Sequence, residues 1–164
     1  MSRATAARAK LLTELDREIR QASGLGVVFS QAVADRLGIT SSDLECLDFI
    51  GLRGVASAGE LSEATGLTTG AVTGMIDRLE RAGFAKRERD AGDRRKVLVR
   101  LVFPAVERRI APVYASMAQS MAALLANYSD EDLALLHDFT AKSGRIMAEE
   151  IGKLRAKPST ARRR

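Results

Sequence analysis

Tryptophan is absent, aromatic residues make up only 4% of the chain, and there is one cysteine and one histidine. The lone Cys46 excludes an intramolecular disulfide and any cysteine-cluster zinc site, so nothing calls for an oxidising compartment, and the cytoplasm is the expected location. His137 has no second histidine to work with. It can build neither a metal site nor a hydrolytic triad, and no cofactor and no catalysis are expected. Scarce aromatics argue against a β-sandwich and for an aliphatic, helix-rich core. Long apolar runs are also missing: the uncharged stretch Gln21 to Ala34 contains Ser and Gln and is too short to cross a bilayer. Charges break up the N-terminal SRATAARAKLLTELDREIR before a signal-peptide core can form. Neither membrane insertion nor secretion is expected. A phosphate-binding loop is absent too, since the glycines at 66, 70 and 74 are spaced by four, unlike a dinucleotide fingerprint.

What is present is positive charge and helical periodicity. A chain of 164 residues with a formal net charge of +5 is sized for one domain and suited to an anionic partner. Leu12, Leu15, Ile19, Ala22, Gly26, Phe29 and Val33 recur at threes and fours, predicting one long amphipathic helix that stops at Gly38. Thr40-Ser41-Ser42-Asp43 has the form of a capping box, placing a second helix through Leu44, Leu47 and Ile50 to Gly54. Ser57-Ala58-Gly59-Glu60 repeats that signal for a short helix ended by Gly66. Thr68 or Thr69 then caps a further helix, whose buried face is Val72, Ile76 and Leu79 and whose end is Gly83. After a β-prone stretch, Pro104 opens a helix running through Val106, Ile110, Val113, Met117, Met121 and Leu124. Ser129 to Asp132 starts a last helix through Leu133, Leu136, Phe139, Ile146, Met147 and Leu154. The tail, 157–164, is polar, basic and expected to be disordered.

The β-prone stretch, FAKRERDAGDRRKVLVRLV from Phe84 to Val102, carries the chemistry. Two basic arms flank a tip reading Asp90-Ala91-Gly92-Asp93-Arg94-Arg95, a hairpin shaped for a groove lined with phosphates. Helix, short turn, helix, then hairpin is the order of a winged helix-turn-helix: the second helix fits a major groove and the hairpin reaches the neighbouring minor groove. With Val72, Ile76 and Leu79 inward, Thr68, Thr69, Gly70, Thr73 and Gly74 face outward, followed by Asp77 and Arg78. Gly70 and Gly74 each cost about 1 kcal/mol relative to Ala in a helix. Either something outside approaches the backbone closely, or one of them fits packing against the preceding helix. Lys86, Arg87, Arg89, Lys96 and Arg100 are candidate phosphate contacts, of which strand alternation lets only some face DNA.

Leu67 to Leu101 resembles the core of the MarR family of transcriptional regulators. The resemblance rests on the Thr-rich start of the second helix, the segment Asp77-Arg78-Leu79-Glu80, Gly83, and Asp93-Arg94-Arg95, all in one register. It implies a mainly α protein with a small β-hairpin wing, a winged helix-turn-helix (39–102) inside a dimerisation scaffold formed by 1–38 and 103–156. It also implies a homodimer on double-stranded DNA, probing a pseudo-palindromic operator as a repressor. The DNA-binding set becomes Thr68, Thr69, Gly70, Thr73, Gly74, Arg78, Arg89, Asp93, Arg94, Arg95 and Lys96. Arg95, with Arg94 close behind, matches the arginine that enters the minor groove, and Asp93 would orient it. Arg78 is also expected to pair with a nearby carboxylate. Long apolar stripes on the outer helices independently call for a covering partner, or else for a helical bundle within one chain. Where the family has a Thr and a Gly-containing turn after the wing, this chain has Val102-Phe103-Pro104-Ala105, so the exit from the wing is expected to differ.

Release by a small-molecule effector is a further implication of the family. Phe29, Phe49, Tyr114 and Met117 are the candidate lining, although apolar residues at helical spacing equally describe core. Cys46, between Leu44 and Leu47, reads as a buried, inert thiol. A sequence-tolerant architectural DNA-binding protein is the alternative function.

Overall fold

The computed structural model describes residues 3–90, 92–93 and 97–155. The chain divides into two units, residues 1–115 and 116–164. In the first, α1 (Arg3–Leu37) leads into α2 (Ser41–Arg53), β1 (Ala56–Ser57), α3 (Ala58–Thr65), α4 (Thr69–Arg81), β2 (Ala85–Arg89) and β3 (Val97–Leu101). A single α-turn, α5 (Phe103–Ala105), and a π-turn (Val106–Ile110) then precede α6 (Ala111–Leu125). In the second unit α7 (Asp130–Arg155) begins at a capping box: the Ser129 hydroxyl accepts from the Asp132 amide at 3.1 Å, and the Asp132 carboxylate accepts from the Ser129 amide at 3.2 Å.

Local chemistry sets the helix boundaries of the first unit. Thr40 and Asp43 cap α2 reciprocally, as Ser57 and Glu60 cap α3. Thr68, rather than Thr69, caps α4, its hydroxyl accepting from the Ala71 amide at 3.4 Å. At the other end of α4, Gly83 takes φ +74°, which lets its amide reach Glu80 O at 2.9 Å and the Phe84 amide reach Leu79 O at 3.0 Å. This Schellman turn redirects the chain from helix into wing within two residues.

The sheet is three-stranded and antiparallel in the order β1-β3-β2, with Ala85 opposite Leu101, Arg87 opposite Val99, and Ala56 also opposite Val99. Only the β2–β3 hairpin is predicted from sequence. β1, two residues long, is too short to show alternation and exists because Val99 offers it a ladder. Ala85, Val99 and Leu101 turn inward and join Leu47, Ile50, Leu61, Val72, Met75, Ile76, Leu79 and Phe84 in one aliphatic core. A second cluster of Val33, Ala34 and Leu44, flanked by Phe29, Val113 and Tyr114, ties the C-terminal end of α1 to α2 and α6.

The continuous helix expected from Pro104 to Leu124 is instead interrupted. Between Val106 and Ile110 the chain widens into a π-turn, and the Ala111 amide bonds back to Val106 O. Pro112 supplies the reason: inside an α-helix its ring would collide with the carbonyl four residues earlier and it has no N–H to donate, whereas a wider turn relieves both.

Candidate nucleic-acid interface

The turn between α3 and α4 is closed by hydroxyls. Ser62 donates to Leu67 O at 2.6 Å, Thr65 donates to Leu61 O at 2.7 Å, and the Leu67 amide donates to Thr65 Oγ1 at 3.3 Å. With Val72, Met75, Ile76 and Leu79 buried, α4 turns Thr69, Gly70, Thr73 and Asp77 to solvent. Thr73 donates its hydroxyl to Thr69 O at 3.0 Å, leaving its methyl group and oxygen lone pairs outward. A Cβ built at Gly70 meets nothing within 4 Å, and one at Gly74 meets only the Arg78 guanidinium at 3.9 Å. Packing among the described residues therefore does not explain either glycine.

Three arginines hold α4 from three sides. Arg78 grips Asp43 with two parallel bonds, Nη2 to Oδ1 at 2.7 Å and Nε to Oδ2 at 3.2 Å, and that carboxylate is 1% exposed. Burial opposes ionisation of Asp43, but the bonds from Arg78 and Thr40 outweigh it and its pKa lies below the usual carboxylate value. Arg87, on β2, pairs with Asp77 at 2.7 Å and with Glu80, while its own amide donates to Glu80 Oε1 at 2.7 Å. Arg109, from the π-turn, donates to Ala82 O at 2.7 Å and stands 4.1 Å from the Phe84 ring, covering the negative end of the α4 dipole.

Several of the described cations are engaged within the chain. Arg87 is a clamp between wing and helix, and Arg78 joins α4 to α2. Lys86 and Arg100 both meet Glu88, at 2.6 and 2.8 Å. Arg89 is exposed, and its side chain makes no hydrogen bond or ion pair with a described residue. At the tip, Asp90 accepts from the Gly92 and Asp93 amides at 2.7 and 2.9 Å, an Asx-type turn that presents Asp93 to solvent. Arg94, Arg95 and Lys96 lie outside the described residues, as does the tail at 157–164.

Two of the effector candidates are brought together. Phe29 and Tyr114 meet edge to face, with ring centroids 5.7 Å apart; Phe49 lies under Arg53 at 4.7 Å; Met117 belongs to the second unit. Cys46 is fully buried and its thiol is pushed up to about 12 by burial and by Asp43, so it matches the inert reading. Sequence reasoning missed the roles of Arg109, Ser62, Thr65 and Asp90. Only Pro112 hinted at the π-turn that aims Arg109.

A turn-linked helix pair with a hairpin clamped to its second helix defines a winged helix-turn-helix protein. The sequence profile of the MarR family matches residues 39–97. YcgE of Bacillus subtilis, an uncharacterized HTH-type transcriptional regulator, is 39% identical over 129 residues, covering 79% of this chain and 83% of that protein. Among solved structures, a MarR family protein from Bacillus stearothermophilus is 25% identical with a TM-score of 0.64, covering 85% of this chain and 97% of the other. Apo MarR from E. coli, 24% identical over 79% of this chain and 95% of its own, superposes with a TM-score of 0.54. The chain belongs to the MarR family and is a DNA-binding transcriptional regulator.

Proposed function

We propose that the protein is a cytoplasmic homodimeric repressor that reads a pseudo-palindromic operator and is released from it by a small molecule. The observation that carries the DNA-reading face is the outer surface of α4. It offers hydroxyls and bare backbone at Thr68, Thr69, Gly70, Thr73 and Gly74, with open space at Gly70 and only the Arg78 side chain, at 3.9 Å, beside Gly74. A major groove can come close there, and the capped N-terminus adds amide donors for a phosphate. Arg89, Asp93, Arg94, Arg95 and Lys96 form the wing's share, with Arg95 entering the minor groove. Arg78 serves the interface by fixing α4 through Asp43.

Dimerisation is supported by each unit separately. In the first, Leu12, Leu15 and Ile19 repeat along α1 and are all exposed. In the second, Met117, Met121 and Leu124, and Leu136, Phe139 and Met147, do the same. Apolar rows of this length signal a covering partner. A two-fold pair places two α4 helices on half-sites roughly 34 Å apart, and occupancy of promoter DNA at that footprint excludes polymerase.

Selection from random duplexes tests the reading. A two-fold-symmetric consensus should emerge, bound at least about a thousandfold more tightly than bulk DNA at physiological salt. A ratio near one would favour a sequence-tolerant architectural binder, a reading that the side-chain-poor face of α4 also suits. Arg95→Ala should weaken consensus binding and lower the salt slope by about 1 while the dimer persists. Unchanged affinity would remove Arg95 from the interface.

A further inference from the structure

A groove of about 440 Å³ opens between α2, the end of β3 and the π-turn, bounded by Leu47, Asp48, Gly51, Leu101, Val106 and Ile110. Its volume lies within the roughly 300–1,000 Å³ of small-molecule sites. The effector candidates named from sequence are not among these residues. The walls are aliphatic except for one carboxylate, Asp48. That group has no hydrogen bond or ion pair with any described residue, whereas Asp43, Asp77 and Glu80 each hold an arginine. Asp48 is exposed to solvent, and partial desolvation against the apolar wall together with the neighbouring charge of Glu45 raises its pKa above the ordinary carboxylate value.

We propose that this groove binds a lipophilic cation, an amine or quaternary ammonium carrying an apolar chain or ring, with Asp48 as its counter-charge. The cation sits against the exposed Asp48 carboxylate at the edge of the groove, and its apolar body covers Leu47, Leu101, Val106 and Ile110. Anions of the same shape meet both Asp48 and Glu45 and are rejected by charge. Neutral molecules fill the walls and leave the carboxylate uncompensated.

The groove also has a route to α4. Val106 and Ile110 belong to the five-residue π-turn that holds Arg109, and Arg109 caps α4 at Ala82 O and covers Phe84. An occupant pressing on the two aliphatic side chains shifts the residue that fixes the end of the recognition helix. Arg109 is thus a positioning residue for release. This transmission rests on the DNA-reading role of α4; the cation site does not.

Calorimetric titration of the full chain with octyltrimethylammonium, octan-1-ol and octanoate separates charge from apolar fit. The cation should bind at least tenfold more tightly than the alcohol, and octanoate most weakly. D48N should lower the cation to the alcohol's affinity without changing the alcohol, and D48E should keep the preference. G51L places a side chain in the groove, since a Cβ there already stands 3.5 Å from Leu101 Cδ1, and should weaken cation and alcohol together. Equal binding of the three probes, an unchanged cation affinity in D48N, or loss of the alcohol in D48N overturns the site. The cation should also weaken binding of the selected consensus DNA at least threefold in the wild type and not in R109Q, which still binds the cation. A wild-type response in R109Q overturns the transmission and leaves the site standing. If the wild type binds no DNA, the DNA reading and the transmission fall together, and the titrations alone decide the groove.

Discussion

At the scale of single residues, the bidentate Arg78–Asp43 pair couples the recognition helix to the start of α2, and one partner is buried. Removing the arginine strands a buried carboxylate, a change that typically costs about 3–5 kcal/mol. Arg78→Met should therefore lower the urea midpoint far more than a surface substitution does, and a drop under about 1 kcal/mol would show that the pair contributes little. The pH dependence has a definite sign. Asp43 has a folded pKa below its unfolded one, so its contribution is fully present above the unfolded value near 3.9 and is lost as pH falls through the lower folded value. Asp43→Asn should flatten that acid limb in chemical denaturation followed from pH 6 to pH 2. The pairing of Arg78 with some carboxylate could be expected from sequence. Its identity could not, because 35 residues separate the partners and only the packing of α2 on α4 brings them together.

Among elements, α4 is legible because its signals are local: a threonine cap, an inward face at threes and fours, and a glycine that turns the chain. Its two inner glycines allow a test in which stability and binding move in opposite directions. Gly70→Ala and Gly74→Ala should each stabilise the free protein by about 1 kcal/mol, since neither new methyl group meets a neighbour closer than 3.9 Å. Each should also weaken DNA binding if the backbone is the contact surface. Thermal melts and fluorescence anisotropy on the same samples would show it, and tighter binding by both variants would mean that α4 keeps its distance from DNA. β1 and the π-turn were not legible. The first is created by a tertiary ladder, and the second by one proline inside a helical pattern whose apolar periodicity survives the interruption. Arg87 presents a further limit: strand alternation shows that only some wing cations face outward, but not that this one is spent on Asp77 and Glu80.

For the molecule as a whole, the exposed apolar rows set the expectation of a partner. Light scattering should report about twice 17.7 kDa, and the unfolding midpoint should rise with protein concentration, as mass action requires. Leu15→Glu in the first unit and Phe139→Glu in the second should each shift the mass towards the single chain; a 17.7 kDa species in the unaltered protein would sink the dimer. The apolar rows were readable from spacing alone, but spacing does not distinguish a face covered by its own chain from one left open. The buried thiol of Cys46 bears on how such an assembly can be watched. With its thiol fully buried and its pKa pushed up to about 12, Cys46 offers maleimide reagents almost nothing to attack at pH 7. A cysteine introduced at exposed Val97, on the wing strand β3, would then be the one reactive thiol per chain. The natural sequence thus comes ready for spin or fluorophore labelling without first deleting its own cysteine, and the distance between paired wings could be followed as DNA or an amine is added.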